Sequence, residues 1–299
     1  MAYCLEIIDT LRQAHLSFGT KNSGENKSRY KSWEYCHKVF LKLHKVKKFD
    51  ELSDDDFDYL ALNLAFYLAS WGMYRGSSFL LDRDYRTHIP CVKEIMKERY
   101  NPLWDYEPSH NNIDEVKELI FSKPNDKDEG GIYWLIKNEL YKIKNLDSYS
   151  ANVDSKINIA KNDVSPTDTL ITKILLGTFA CIPAFDQFFK EGCKLLKPKI
   201  NSNLEKTKSN CFERLCEFVM RHRWELQFIS SEIYYPPMKC LDLLIWRLGL
   251  KKELLKMHTK SANKNKVSEI IVDENFFDKA SDISNQIVEL NWEEDCDEK

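Results

Sequence analysis

Apolar positions recur at three- and four-residue intervals through most of the chain, the spacing of one buried helical face. Cys4, Ile8, Leu11, His15 and Phe18 form the first such stripe and predict a helix over 3–18. A polar loop at 21–27 follows, then Tyr30, Trp33, His37, Phe40 and His44 predict a second helix over about 28–44. Ser53, followed by Asp54, Asp55 and Asp56, reads as a helix cap with acids in the first turn. The run beyond it, Leu60–Leu81, is apolar on nearly every side and predicts a central helix. Ala65, Ala69, Gly72 and Gly76 line one side of that run. Each glycine inside a helix costs about 1 kcal/mol against alanine. These therefore call for close helix approach, or for space cleared beside Tyr74 and Arg75. A half-buried Arg75 there needs an anionic partner, either a carboxylate or a phosphate.

Shorter helices are predicted over 91–100, 113–122 and 132–146, and the aperiodic stretch 147–164 reads as a lobe boundary. Ser165, Pro166 and Asp168 then form a start signal, with Ser165 as the cap. Leu170, Ile174, Leu175 and Phe179 give the new helix its buried face. It is predicted to stop near Cys181, because Pro183 disfavours the helical conformation at Ile182. The apolar turn Ile182–Phe185 delivers one carboxylate, Asp186, just before Phe188 and Phe189. A further helix is predicted over 211–229. Pro237 opens another over 238–250, with Gly249 as its stop and 251–266 as a basic segment outside it. Residues 267–272 read as a short strand.

The fold class this pattern predicts is all-α, a multi-helix globular bundle with 60–80 and 168–181 adjacent in the core. It is organised as one domain or as two closely packed lobes, 1–146 and 165–260, followed by an acidic tail at 267–299. Nine glycines and nine prolines in 299 residues are too few for the turns of a sandwich or barrel. No apolar run approaches the roughly 18 residues of a membrane span, and Glu6 and Asp9 are unlike a signal peptide. A cytoplasmic protein is expected. Nine cysteines without CxxC spacing read as reduced core thiols, so neither a zinc site nor a cofactor is expected. Glu34 and His37 share the i,i+3 spacing of carboxylate–histidine metal sites in helical bundles. Such sites draw ligands from several helices, so the expected role for His37 is a hydrogen-bonded core histidine.

Charge changes the picture further. The net charge of -3 hides 17 Lys+Arg against 8 Asp+Glu over 190–266, and 2 against 11 over 267–299. A basic lobe suggests a phosphate-bearing partner, nucleic acid and DNA first, with the acidic tail competing for the same surface. Ordinary charge pairing within the chain is the alternative.

Three resemblances bear on chemistry. Arg83 and His88 have the Arg-x4-His spacing of HEPN-type ribonucleases, and that likeness implies RNA cleavage assisted by this pair. Four blocks, 32–40, 68–81, 174–189 and 234–246, together resemble a family of uncharacterised bacterial all-α proteins. That likeness brings no activity with it. The order of ILLGTFACIPAFD, a buried helix leading through a proline turn to an aspartate, is similar to that in helix-hairpin-helix DNA glycosylases. It implies a hydrolase of N-glycosidic bonds with Asp186 as catalytic carboxylate, in a setting such as bacterial anti-phage defence. Base excision needs a flipped nucleotide held by aromatic side chains and an anion beside an oxocarbenium-like sugar. Tyr74, Phe185 and Tyr235 are the stacking candidates, and Arg75 and Lys239 the phosphate-holding ones. Against this stands a non-catalytic helical interaction or ligand-binding module, in which Asp186 caps a short helix at 187–192 and Arg75 is a core ion pair.

Overall fold

The computed structural model describes residues 30–76, 78–125, 130–150, 166–195, 208–223 and 235–262. The segment 3–18 and the acidic tail 267–299, including the expected strand at 267–272, lie outside them. In chain order the α-helices are α1 (Tyr30–Val46), α2 (Asp54–Ser70), α3 (Ile89–Ile95), α4 (Ile113–Phe121), α5 (Ile132–Ser150), α6 (Asp168–Thr178), α7 (Gln187–Leu195), α8 (Lys208–Arg221) and α9 (Pro237–Ala262). Turns of 3-10 helix at Phe49–Glu51, Tyr85–His88 and Glu98–Leu103 join some of them, and the fold is all-α. No described helix is long and apolar enough to cross a membrane.

Ser53 starts α2 as its residue type requires. Its Oγ accepts from the Asp56 amide, while Asp56 Oδ2 accepts from the Ser53 amide at 2.8 Å, a reciprocal capping box. The helix stops at Ser70, well short of the expected Leu81. Gly72 is left-handed at φ 76°, the Met73 amide reaches back to Leu68 O at 2.9 Å, and the Gly72 amide to Ala69 O at 2.9 Å. That pair of bonds is a Schellman stop, and glycine takes the left-handed position because a Cβ is penalised there. Gly72 is thus a terminator and not a mid-helix packing residue. Arg75, expected to be half-buried, is exposed in the turn beyond, with its guanidinium folded over Gly72, where a Cβ would come within 2.7 Å of Nε.

α6 starts two residues later than its sequence signal suggested. Thr167, not Ser165, is the cap, with Oγ1 accepting from the Leu170 amide at 3.2 Å. The helix is buried on every side and packs on α1 and α2. Gly177 makes the approach to α2 possible, since a Cβ there would lie 2.4 Å from the Tyr67 ring. Trp33 and His37 of α1 tie down its last turn: Trp33 Nε1 donates to Leu176 O at 2.8 Å and His37 Nδ1 bonds Thr178 O at 2.7 Å.

α9 overruns its predicted stop by thirteen residues, because Gly249 serves a different purpose. A Cβ on Gly249 would lie 1.8 Å from Phe188 O, and one on Gly192 would lie 2.0 Å from Ile245 O. α7 and α9 therefore meet backbone to backbone through one glycine from each. Pro237 stands at the start of α9, where its missing N–H is no loss. Among the described residues one buried cluster runs from Trp33 and Phe40 through Leu64, Tyr100, Ile136 and Phe179 to Phe212 and Ile245. The expected lobes thus share one core. The seven described cysteines are buried free thiols within it.

Candidate functional site

The turn between α6 and α7 has to satisfy its own polar backbone, because residues 179–185 are buried. The Ala180 amide returns to Leu175 O at 3.0 Å from a left-handed conformation, φ 57°. Pro183 has no N–H to satisfy. The Ala184 amide donates to Asp242 Oδ1 of α9 at 2.9 Å, and the Phe185 amide to Thr172 Oγ1 at 2.9 Å. Thr169 Oγ1 donates to Phe185 O at 2.9 Å. Two side chains of α6 and one carboxylate of α9 thus fix the turn that presents Asp186.

Asp186 is both a cap and one half of an ion pair. Its Oδ1 accepts from the Phe189 amide at 3.0 Å, and its main-chain oxygen accepts from the Lys190 amide at 3.0 Å, so α7 begins on it. Its Oδ2 lies 2.9 Å from Lys173 Nζ of α6, with side-chain exposures of 14 and 4% for Asp186 and Lys173. A second pair of the same composition stands beside it. Lys239 Nζ is 2.8 Å from Asp242 Oδ2, and both side chains are buried. The two ammonium groups share one indole, with Lys173 Nζ 5.0 Å and Lys239 Nζ 5.6 Å from the half-buried Trp71 ring. Trp246 meets Trp71 edge-on at 5.9 Å. Burial holds the Tyr67 phenol protonated far above its ordinary range, and the negative fields of Asp242 and Asp186 add to that shift. Buried ion pairs repay their desolvation poorly. Two of them around one indole position charge more than they stabilise the fold.

Of the residues singled out in the sequence, Asp186 and Lys239 come to this cluster. The others do not. Phe185 is buried and stacks on Phe189 at 5.6 Å. Tyr235 is buried, donates to Glu34 Oε1 and meets Trp33 edge-on at 5.2 Å. Neither ring offers a platform to a base in this arrangement, and Lys239 faces its own aspartate, not a phosphate. Tyr74 is half-buried with its hydroxyl 2.6 Å from His88 Nε2. Lys173, Asp242 and Trp71 were not singled out. A lone charge inside each of the apolar runs LITKILL and CLDLLIW was the signal for the first two.

The remaining chemistry-bearing residues have structural partners. His37, stacked on Trp33 at 5.1 Å, is the hydrogen-bonded core histidine its position suggested, and burial lowers its pKa. Glu34 pairs with Lys31 as well as Tyr235. The Glu-x-x-His spacing recurs at Glu107 and His110, but there both are exposed and Glu107 pairs with Arg223. Among the described residues no group of three His, Cys, Asp or Glu side chains is placed to hold a metal ion. Arg83 and His88 of the ribonuclease-like spacing do not bond each other, since Arg83 Nη2 reaches Ile143 O at 3.4 Å and His88 binds Tyr74.

Burial also pushes the pKa of His88 down to about 4. The unfolded chain takes up this proton near pH 6.5. Stability from a neutral buried His88 is therefore complete above that pH and lost as the pH falls from about 6.5 to about 4, by about 3 kcal/mol. His88→Gln is expected to shrink the stability difference between pH 7 and pH 4 by that amount in urea titrations. An unchanged difference would mean that His88 titrates normally in the fold.

No family model matches the chain, and neither does a curated protein or a solved structure.

Proposed function

We propose that this chain is a nucleic-acid-processing protein, a DNA-glycosylase-like hydrolase, with Asp186 as the carboxylate that acts on the sugar. The observation that carries this reading is the Lys173–Asp186 pair, withdrawn from water and set beside the half-buried Trp71. Cleavage of an N-glycosidic bond sends its electron pair to the departing base and leaves positive charge on the sugar. A fixed carboxylate in a site of low dielectric stabilises that charge until water adds its oxygen to the sugar carbon and its proton passes to the released base. Lys173 holds the carboxylate in place. Arg221, exposed on α8 within the basic region, supplies a phosphate contact.

A second reading has its own support. Each oxygen of Asp186 already has a donor, and Arg75, Tyr235 and Asp186 do not converge, as a non-catalytic helical binding module would have it. A panel of duplexes and single strands, each with one modified base, separates the two. The enzyme reading expects abasic sites in at least one substrate. Binding without any base release across the panel would leave the module.

A further inference from the structure

One face of α2 is covered by none of the described elements. From Tyr59 onward every exposed position on this helix is apolar: Tyr59, Leu62, Phe66 and Ala69. The first three are 43, 48 and 65% exposed, and Tyr35 of α1, 54% exposed, extends the patch with its hydroxyl 3.3 Å from that of Tyr59. A helix facing water carries polar residues on that side, and a contiguous apolar patch marks a contact surface.

We propose that this stripe is the docking site of the chain's own segment 3–18, laid on α2 as an amphipathic helix. The chain enters at the right place. Ser32 Oγ lies 2.6 Å from Ser70 Oγ, so the first turn of α1 stands beside the Ala69 end of the stripe. The reach is ample: the eleven residues 19–29 span up to ~35 Å, whereas Tyr59 to Ala69 covers ~15 Å of helix. The faces correspond in length and kind, since Cys4, Ile8, Leu11, His15 and Phe18 run along ~21 Å of helix. Lys38 and Lys42 are exposed along the α1 edge that carries Tyr35, and Glu6 and Asp9 supply the opposite charge. Size argues against a separate partner. Four side chains fall short of the roughly 800 Å² per side of a stable protein–protein interface. A tethered segment needs far less, because a short linker supplies an effective concentration in the millimolar range.

Hydrogen exchange on the full chain, with sedimentation at each concentration used, tests this. Amides within 3–18 are expected to exchange at least about 10-fold slower than coil, independently of protein concentration. Leu62→Asp with Phe66→Asp should return them to coil rates while α1 and α6 stay protected, Leu11→Asp should do the same, and Phe66→Leu should keep the protection. Coil rates in the wild-type monomer would overturn the proposal. So would protection indifferent to the α2 substitutions, or protection that rises with concentration alongside a dimer, which would place a second copy on the stripe.

Discussion

Gly249→Ala is expected to lower stability by about 3 kcal/mol or more, the upper end of what overpacking does. Helix propensity alone predicts the opposite, a gain of about 1 kcal/mol for replacing a helical glycine by alanine. Packing decides the sign. The added Cβ would lie 1.8 Å from Phe188 O and 2.8 Å from the Gly192 amide nitrogen, both backbone atoms with no rotamer to yield. α7 and α9 would have to separate, and the apolar contacts between them would open. Gly192→Ala meets Ile245 O at 2.0 Å and should cost a similar amount. Because the two positions belong to one crossing, the double substitution should cost less than their sum. Urea midpoints at an unchanged slope measure each value. A stabilised Gly249→Ala protein would show that the two helices do not meet this closely.

Lys239→Met is expected to cost about 3–5 kcal/mol, the effect of leaving one charge of a buried pair without its partner. Methionine fills most of the space of the lysine stem. What is lost is the ammonium 2.8 Å from Asp242 Oδ2 and over the Trp33 ring at 5.0 Å. Asp242 keeps the Ala184 amide on Oδ1, so the turn before α7 is not released outright. Adding Asp242→Asn to Lys239→Met removes the orphaned charge and can retain that amide bond, and it should recover much of the loss. A double variant less stable than Lys239→Met would mean that the carboxylate is held by something other than this lysine.

Helix existence was legible wherever one face was apolar and the other polar, as in α1 and α8. The Ser53 cap and Pro237 start were also readable, because each is a local signal with a local cause. Glycine was where the pattern misled, in both directions. Gly72 looked like a packing residue and ends a helix, while Gly249 looked like a stop and packs. The two roles differ in what approaches the missing Cβ, which one-dimensional spacing does not record. The site was half legible. Asp186 stands out in sequence because it follows an apolar turn. Its partner Lys173 lies thirteen residues earlier, one charge among apolar neighbours, and the aspartate on α9 lies 56 residues later. Their meeting depends on how α6, α7 and α9 pack. Tyr235 and Phe185 looked like ligand platforms because aromatic rings near a proline turn fit a pocket and a core equally well.

The measurement closest to the central claim is the single-turnover rate of base release by Asp186→Asn beside wild type, on a substrate from the modified-base panel. Asparagine caps α7 about as well as aspartate, but it weakens the hold on Lys173. A stability loss on the order of 1–3 kcal/mol is therefore expected whatever the function. The rate, measured where circular dichroism shows both proteins folded, separates the two roles. The catalytic role predicts unchanged DNA affinity and a rate at least about 100-fold lower. Equal rates would remove Asp186 from the chemistry and leave it as the cap of α7 and the counter-ion of Lys173.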